Sequence, residues 1–129
     1  AMETDPDRTA EADLVALSEA LTRPRTAECL FCFVDRMLNA FGCDQTLRWV
    51  RRWRELRLPR ATGLERRLGR SGAFCDCEVF LNGWTVREDL LVPDENGDGD
   101  WPPERPECSG VGPRSSQPCS TWVPLRRGW

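Results

Sequence analysis

Seven cysteines and no histidine limit how this chain of 129 residues can be held together. Five of the seven fall in two short stretches. Cys29-Leu30-Phe31-Cys32 is followed by Cys43, and Cys75-Asp76-Cys77 runs into Asn82-Gly83. A domain of this size buries a marginal core, so a metal or disulfides would add materially to its stability. An odd cysteine count with two tight pairs favours a metal over a full disulfide framework. Without histidine, any zinc site must be built from thiolates and carboxylates.

Hydrophobic periodicity places these pairs on elements. Asp5 reads as an N-cap and Pro6 as a first helical residue, and Leu14, Leu17 and Leu21, with Val15, make residues 6–22 an amphipathic helix. Residues 27–41 form a second helix with Leu30, Phe33, Val34, Met37, Leu38 and Phe41 on one face. Cys29 lies at the edge of that stripe and Cys32 beyond it, one turn away, which suits two ligands at i and i+3. Gly42 ends this helix, and Asp44 or Thr46 caps the next over 45–57, with Trp49, Val50, Trp53 and Leu56 turned inward. Thr62 and Glu65 form a capping box for a short fourth helix carrying Leu64 and Leu68. Asn82-Gly83 between β-prone flanks predicts a hairpin over 78–87, in which Leu81 faces Trp84, Val79 faces Val86 and Glu78 faces Arg87. Cys75 and Cys77 precede it as alternate strand residues on one side.

The fold class expected is therefore mostly α, in the α+β sense: three or four short helices packed on a β-hairpin and stapled by zinc. Residues 1–92 make one small globular domain. Residues 93–129, with seven prolines and no apolar period, read as an acidic Pro/Gly/Ser-rich tail whose tryptophans could clip it to the domain.

Four thiolates on a helix and a strand suffice for closed tetrahedral zinc, so Cys29, Cys32, Cys75 and Cys77 are the expected ligands, with Cys43 as the alternative. A closed site has no open position and is structural rather than catalytic. The competing reading makes these cysteines reduced, buried, small hydrophobes. Thioredoxin-like chemistry is disfavoured, because it expects Cys-x-x-Cys after a strand of an α/β unit. The sequence leaves open the role of Cys108 and Cys119.

The net charge of −3 hides a segregated pattern. All 18 basic residues are arginine, a bias expected of GC-rich coding rather than of chemistry. Residues 45–72 carry nine arginines against two glutamates, between acidic stretches at 1–22 and 88–107. Arg48, Arg51 and Arg52 point away from the buried tryptophans and are the candidates for nucleic-acid contact. Neutralisation of the block by the acidic ends, within the molecule or in a homodimer, is the equally economical reading. Residues 94–100 match the first half of a calcium loop, but Arg105 stands where a bidentate glutamate is needed, so a solvated acidic linker is the simpler assignment.

No histidine, nucleophile elbow, phosphate loop or dinucleotide fingerprint supports catalysis, so the chain is expected not to be an enzyme. No apolar run approaches the roughly 18 residues of a membrane span, and no basic-then-apolar signal segment precedes the domain. The expected setting is the reducing cytoplasm, with an unidentified protein partner or a second copy of the chain, nucleic acid as the alternative partner, and no membrane.

Cys43-Asp44-Gln45-Thr46-Leu47-Arg48 and Gly72-Ala73-Phe74-Cys75-Asp76-Cys77-Glu78-Val79-Phe80-Leu81-Asn82 resemble the two signature stretches of a small bacterial family, domain-of-unknown-function family 2695. The resemblance covers about residues 28–84, and the second stretch is the more specific. In that family the first stretch commonly reads Cys-Asp-His-Thr, with histidine in the place of Gln45. If that histidine is a ligand there, this chain substitutes another group, with Cys29 or Cys32 the obvious candidates and Cys43 a competitor. The resemblance implies a shared core and no activity.

Overall fold

A computed structural model describes residues 6–125, so Asp5 and Trp129 lie outside the described residues. Four helices lead the chain: α1 (Pro6–Leu21), α2 (Leu30–Phe41), α3 (Arg48–Arg57) and α4 (Leu64–Arg70). A short α5 (Asp76–Glu78) widens into a π turn over Val79–Gly83. Four short strands follow: β1 (Trp84–Val86), β2 (Val92–Pro93), β3 (Gly99–Asp100) and β4 (Trp122–Pro124). The mixed α+β class expected from the sequence holds.

The core gathers around α2, which buries Leu30, Phe31, Phe33, Val34 and Met37. Against it lie Trp49, Val50 and Trp53 of α3, Leu64 and Leu68 of α4, and Val79, Trp84, Val86 and Trp122. Phe31 falls outside the stripe read from the helical wheel, yet it is fully buried because Trp84 covers it at a ring-centroid distance of 4.5 Å. Conversely, the periodic leucines of α1 find no cover in this chain: Leu14, Val15, Leu17 and Leu21 are all more than half exposed.

Three local expectations are corrected. No side chain among Asp44, Thr46 and Thr62 caps a following helix. Leu47 and Gly63 hold the N-cap positions of α3 and α4 without side-chain bonds, and Glu65 pairs with Arg54 Nε at 2.6 Å instead of closing a capping box. The α3 cap comes from far away in sequence. The fully buried Asp76 carboxylate accepts the N–H groups of Trp49 (3.0 Å) and Val50 (3.2 Å), satisfying donors that a helix start leaves unpaired.

The hairpin over 78–87 is not formed. Residues 76–83 are helical, and neither Asn82 nor Gly83 takes the positive φ that a type I′ turn requires. Asn82 instead donates Nδ2–H to Gly72 O at 2.9 Å. The partner of β1 is β4, antiparallel, with Trp84 opposite Pro124, Thr85 opposite Val123 and Val86 opposite Trp122. That pairing wins because it buries the Trp122 indole, whereas Leu81, the residue expected opposite Trp84, is 72% exposed.

Residues beyond 93 are thereby drawn onto the core. β2 and β3 form a two-residue ladder around the acidic turn, where Asp94 Oδ1 accepts the N–H groups of Asn96 (2.8 Å) and Asp98 (2.9 Å). Trp101, Phe80 and Trp122 make an aromatic trio with centroids 4.9–5.6 Å apart. Arg105 lies over Trp101 and pairs with the buried Asp35 of α2 at 3.1 Å.

Asp76→Ala leaves two buried N–H groups of α3 without an acceptor. It is expected to destabilise the chain by about 1–3 kcal/mol, read as a lowered urea midpoint with an unchanged slope.

Candidate metal centre

The sulfurs of Cys29, Cys32, Cys108 and Cys119 all lie within 4.8 Å of one another. Cys32 Sγ and Cys119 Sγ are 3.5 Å apart, close to the edge of about 3.8 Å that a tetrahedron of sulfurs at 2.3 Å from zinc would have. Cys29 and Cys119 are buried, and no disulfide joins any of the seven cysteines.

Three of the four sulfurs are met by N–H donors. Cys29 is the N-cap of α2 and accepts the N–H of Cys32 at 3.3 Å. At the start of this helix the orphan N–H groups and the positive end of the helix dipole favour thiolate over thiol. Cys108 accepts the N–H of Cys29 (3.2 Å) and that of Gly110 (3.4 Å), two residues ahead of it. Gly110 takes φ 87°, a left-handed conformation natural to glycine, and Val111 N–H then bonds Ala27 O at 2.9 Å. Cys32 accepts from Trp122 Nε1 at 3.2 Å. Donors around metal-binding sulfurs orient them and tune their affinity.

The protons on this cluster are shared unevenly. Hydrogen bonding to Cys119 and burial push the Cys29 thiol up to about 12 and raise Cys32 as well. Interaction with those same two thiols holds Cys119 well below the usual thiol range. Four clustered sulfurs cannot all ionise while no cation compensates them, so one thiolate is stabilised by its protonated neighbours. A bound divalent cation replaces those protons as the compensating charge.

Of the four expected ligands, the structure brings Cys29 and Cys32 into this cluster and leaves Cys75 and Cys77 outside it, beside Cys43. The other two members, Cys108 and Cys119, come from the segment read as a tail. The signal was weak: a cysteine two residues before glycine in Cys108-Ser109-Gly110, and Trp122 three residues after Cys119. Neither produces a hydrophobic period.

The expected nucleic-acid residues are placed differently from one another. Arg48 donates to Phe41 O (3.4 Å) and Gly42 O (3.1 Å) at the end of α2, and Arg52 donates to Glu19 O and Thr22 O, both at 3.3 Å, at the end of α1. Arg51 is exposed.

Residues 30–82 match the model of the family described as "Protein of unknown function (DUF2695)". This segment is similar to that family. The match contains Cys32, Cys43, Cys75 and Cys77 but stops short of Cys108 and Cys119. No curated protein and no solved structure matches the chain. Among the described residues, no helix is long and apolar enough to cross a membrane.

Trp122→Phe keeps an aromatic ring against Phe80 and Trp101 but removes the N–H donated to Cys32. Affinity of the cluster for zinc is expected to fall by about 10–100-fold, measured by competition with a chromophoric chelator, while the folded far-ultraviolet spectrum is kept.

Proposed function

We propose that the chain is a non-enzymatic interaction module whose fold is closed by one structural zinc ion held by Cys29, Cys32, Cys108 and Cys119. The observation that carries this reading is the set of four mutually close sulfurs, three of them supplied with N–H donors. Four thiolates are the donor set of structural zinc and leave no coordination position for substrate. Reduced thiols throughout suit a reducing compartment such as the cytoplasm. The uncovered leucine stripe of α1 supports a protein partner or a second copy as the occupant. The nucleic-acid alternative draws less support, because Arg48 and Arg52 direct N–H groups at carbonyls of their own chain.

The test is elemental analysis of the full chain purified without chelator, paired with thermal unfolding. Zinc is expected in the wild type, with one equivalent absent from the double variant Cys108→Ser/Cys119→Ser. Stripping the wild type with a strong chelator should lower Tm by about 10 °C or more, since structural zinc supplies folding free energy. An unchanged metal content in the double variant would sink this assignment.

A further inference from the structure

The arginines of the basic block fall into two groups. On α3, Arg48, Arg52 and Arg57 donate to carbonyls of their own chain, and Arg54 pairs with Glu65. On α4 the pattern changes. Arg66 and Arg70 stand one helical turn apart and exposed, and among the described residues neither meets a carboxylate or a carbonyl. Together with Arg67 and, from near the far end of the chain, Arg114, they line a cleft of about 370 Å³. No acidic residue lines it. Glu65, a neighbour in sequence, is turned to Arg54 at 2.6 Å.

The cleft is built by a contact between distant segments. Arg67 donates an Nη2–H to Ser116 Oγ at 2.6 Å, 49 positions away, and so ties the 112–117 loop to α4. That loop is folded in its own right: the Ser115 N–H bonds Gly112 O at 3.1 Å, and Ser115 Oγ accepts the N–H of Gln117 at 3.1 Å. As an acceptor for Arg67, Ser116 keeps its own O–H as a donor. Leu58 and the buried Leu64 supply an apolar wall. Like charges at i and i+4 repel on a helix surface, and here a cation from a second segment is added to them. The C-terminal end of α4 favours cations at Arg67 and Arg70 but gives no reason for Arg66 or Arg114.

We propose that this cleft binds a small, multiply charged oxyanion: a pyrophosphate or phosphate-ester group carried by a metabolite-sized molecule. Guanidinium forks engage phosphate oxygens two at a time, and the Ser116 hydroxyl adds a fixed donor beside them. Four positive charges around one cleft without an acid call for a ligand with at least two negative charges, because a single carboxylate leaves most of them uncompensated. The volume falls at the lower end of the roughly 300–1,000 Å³ common for small-molecule sites, and the apolar wall gives the body of the ligand a surface to rest on. A nucleic-acid track needs a continuous row of available cations, and on α3 only Arg51 is outside an intramolecular bond. The cleft shares no residue with the cysteine cluster, so it stands apart from the zinc assignment.

The experiment is calorimetric titration of the full chain, purified without chelator, with inorganic pyrophosphate, while arginine Nε–Hε signals are followed by NMR. One pyrophosphate per chain is expected, with shifts confined to a few arginines and affinity reduced by added salt. The double variant Arg66→Gln/Arg114→Gln, altered at exposed positions, should keep a folded amide spectrum and bind roughly tenfold more weakly or worse. Arg51→Gln should bind as the wild type does. Absence of heat and of shifts at millimolar pyrophosphate, or unchanged affinity in the double variant, would overturn the proposal. Equal occupancy by acetate at matched ionic strength would overturn it as well, since that marks general screening. So would a single-stranded oligonucleotide that binds through these arginines when pyrophosphate does not, which would assign the surface to nucleic acid.

Discussion

The contact on which the arrangement rests joins two residues 79 positions apart: the N–H of Cys29 on the sulfur of Cys108. Through it, the first turn of the most buried helix serves as the floor of a thiol cluster whose roof is made by residues 108–122. Trp122 completes the junction from the other side, with its indole N–H on Cys32 and its ring against Phe80. Remove this junction and β1 loses its only partner in the described fold, because the ladder at Trp84–Val86 depends on Trp122–Pro124 being in place. Core, sheet and cluster are one cooperative unit.

A second constraint acts at the helix ends. An α-helix leaves its last carbonyls without partners, and this chain meets that need with guanidinium groups. Arg52 serves carbonyls at the end of α1, Arg48 those at the end of α2, and Arg57 those of Arg25 and Glu28 in the connection between them. An arginine has five N–H donors in a rigid fork, so one side chain can reach two carbonyls where a lysine offers only a point charge. The basic character of α3 is thus explained in large part by its place beside three chain segments that end or turn. The acidic stretches contribute less to neutralising it than charge counting suggests. Among its arginines, Arg54 meets Glu65, a neighbour from α4.

What the sequence makes legible follows from the range of the interactions involved. The helices α2 and α3 are visible because a 3.6-residue period is a local signal, and Leu30, Phe33, Val34, Met37, Trp49, Val50 and Trp53 are buried where that period places them, whereas Phe31 is not. Cys29 and Cys32 are legible for the same reason: they share one turn of a helix. The α3 cap is illegible, since the residue whose carboxylate accepts its N–H groups, Asp76, looks from its own neighbours like part of a cysteine motif. Asn82-Gly83 misleads because it is a strong local turn signal outweighed by the burial of Trp84 and Trp122 in the β1–β4 pairing, which joins residues 36 to 40 positions apart. Cys108 and Cys119 are invisible as ligands because prolines and glycines around them erase any period. Their position is set by contacts with residues 79 to 90 positions away.

That same spacing has a consequence for the order in which the molecule is made. The segment matched by the family model, residues 30–82, contains α2 to α5, and it is synthesised before residues 108 and 119. The closed centre waits for residues 108 and 119. Linking positions 29 and 119 ties off a loop of about 90 residues, and restricting so long a loop in the unfolded chain is worth on the order of 4–5 kcal/mol by chain-entropy reckoning. A nascent chain therefore passes through a stage in which its helices are complete while Cys29 and Cys32 stand reduced and without their partners. The last segment to emerge acts as the latch that brings the four sulfurs together.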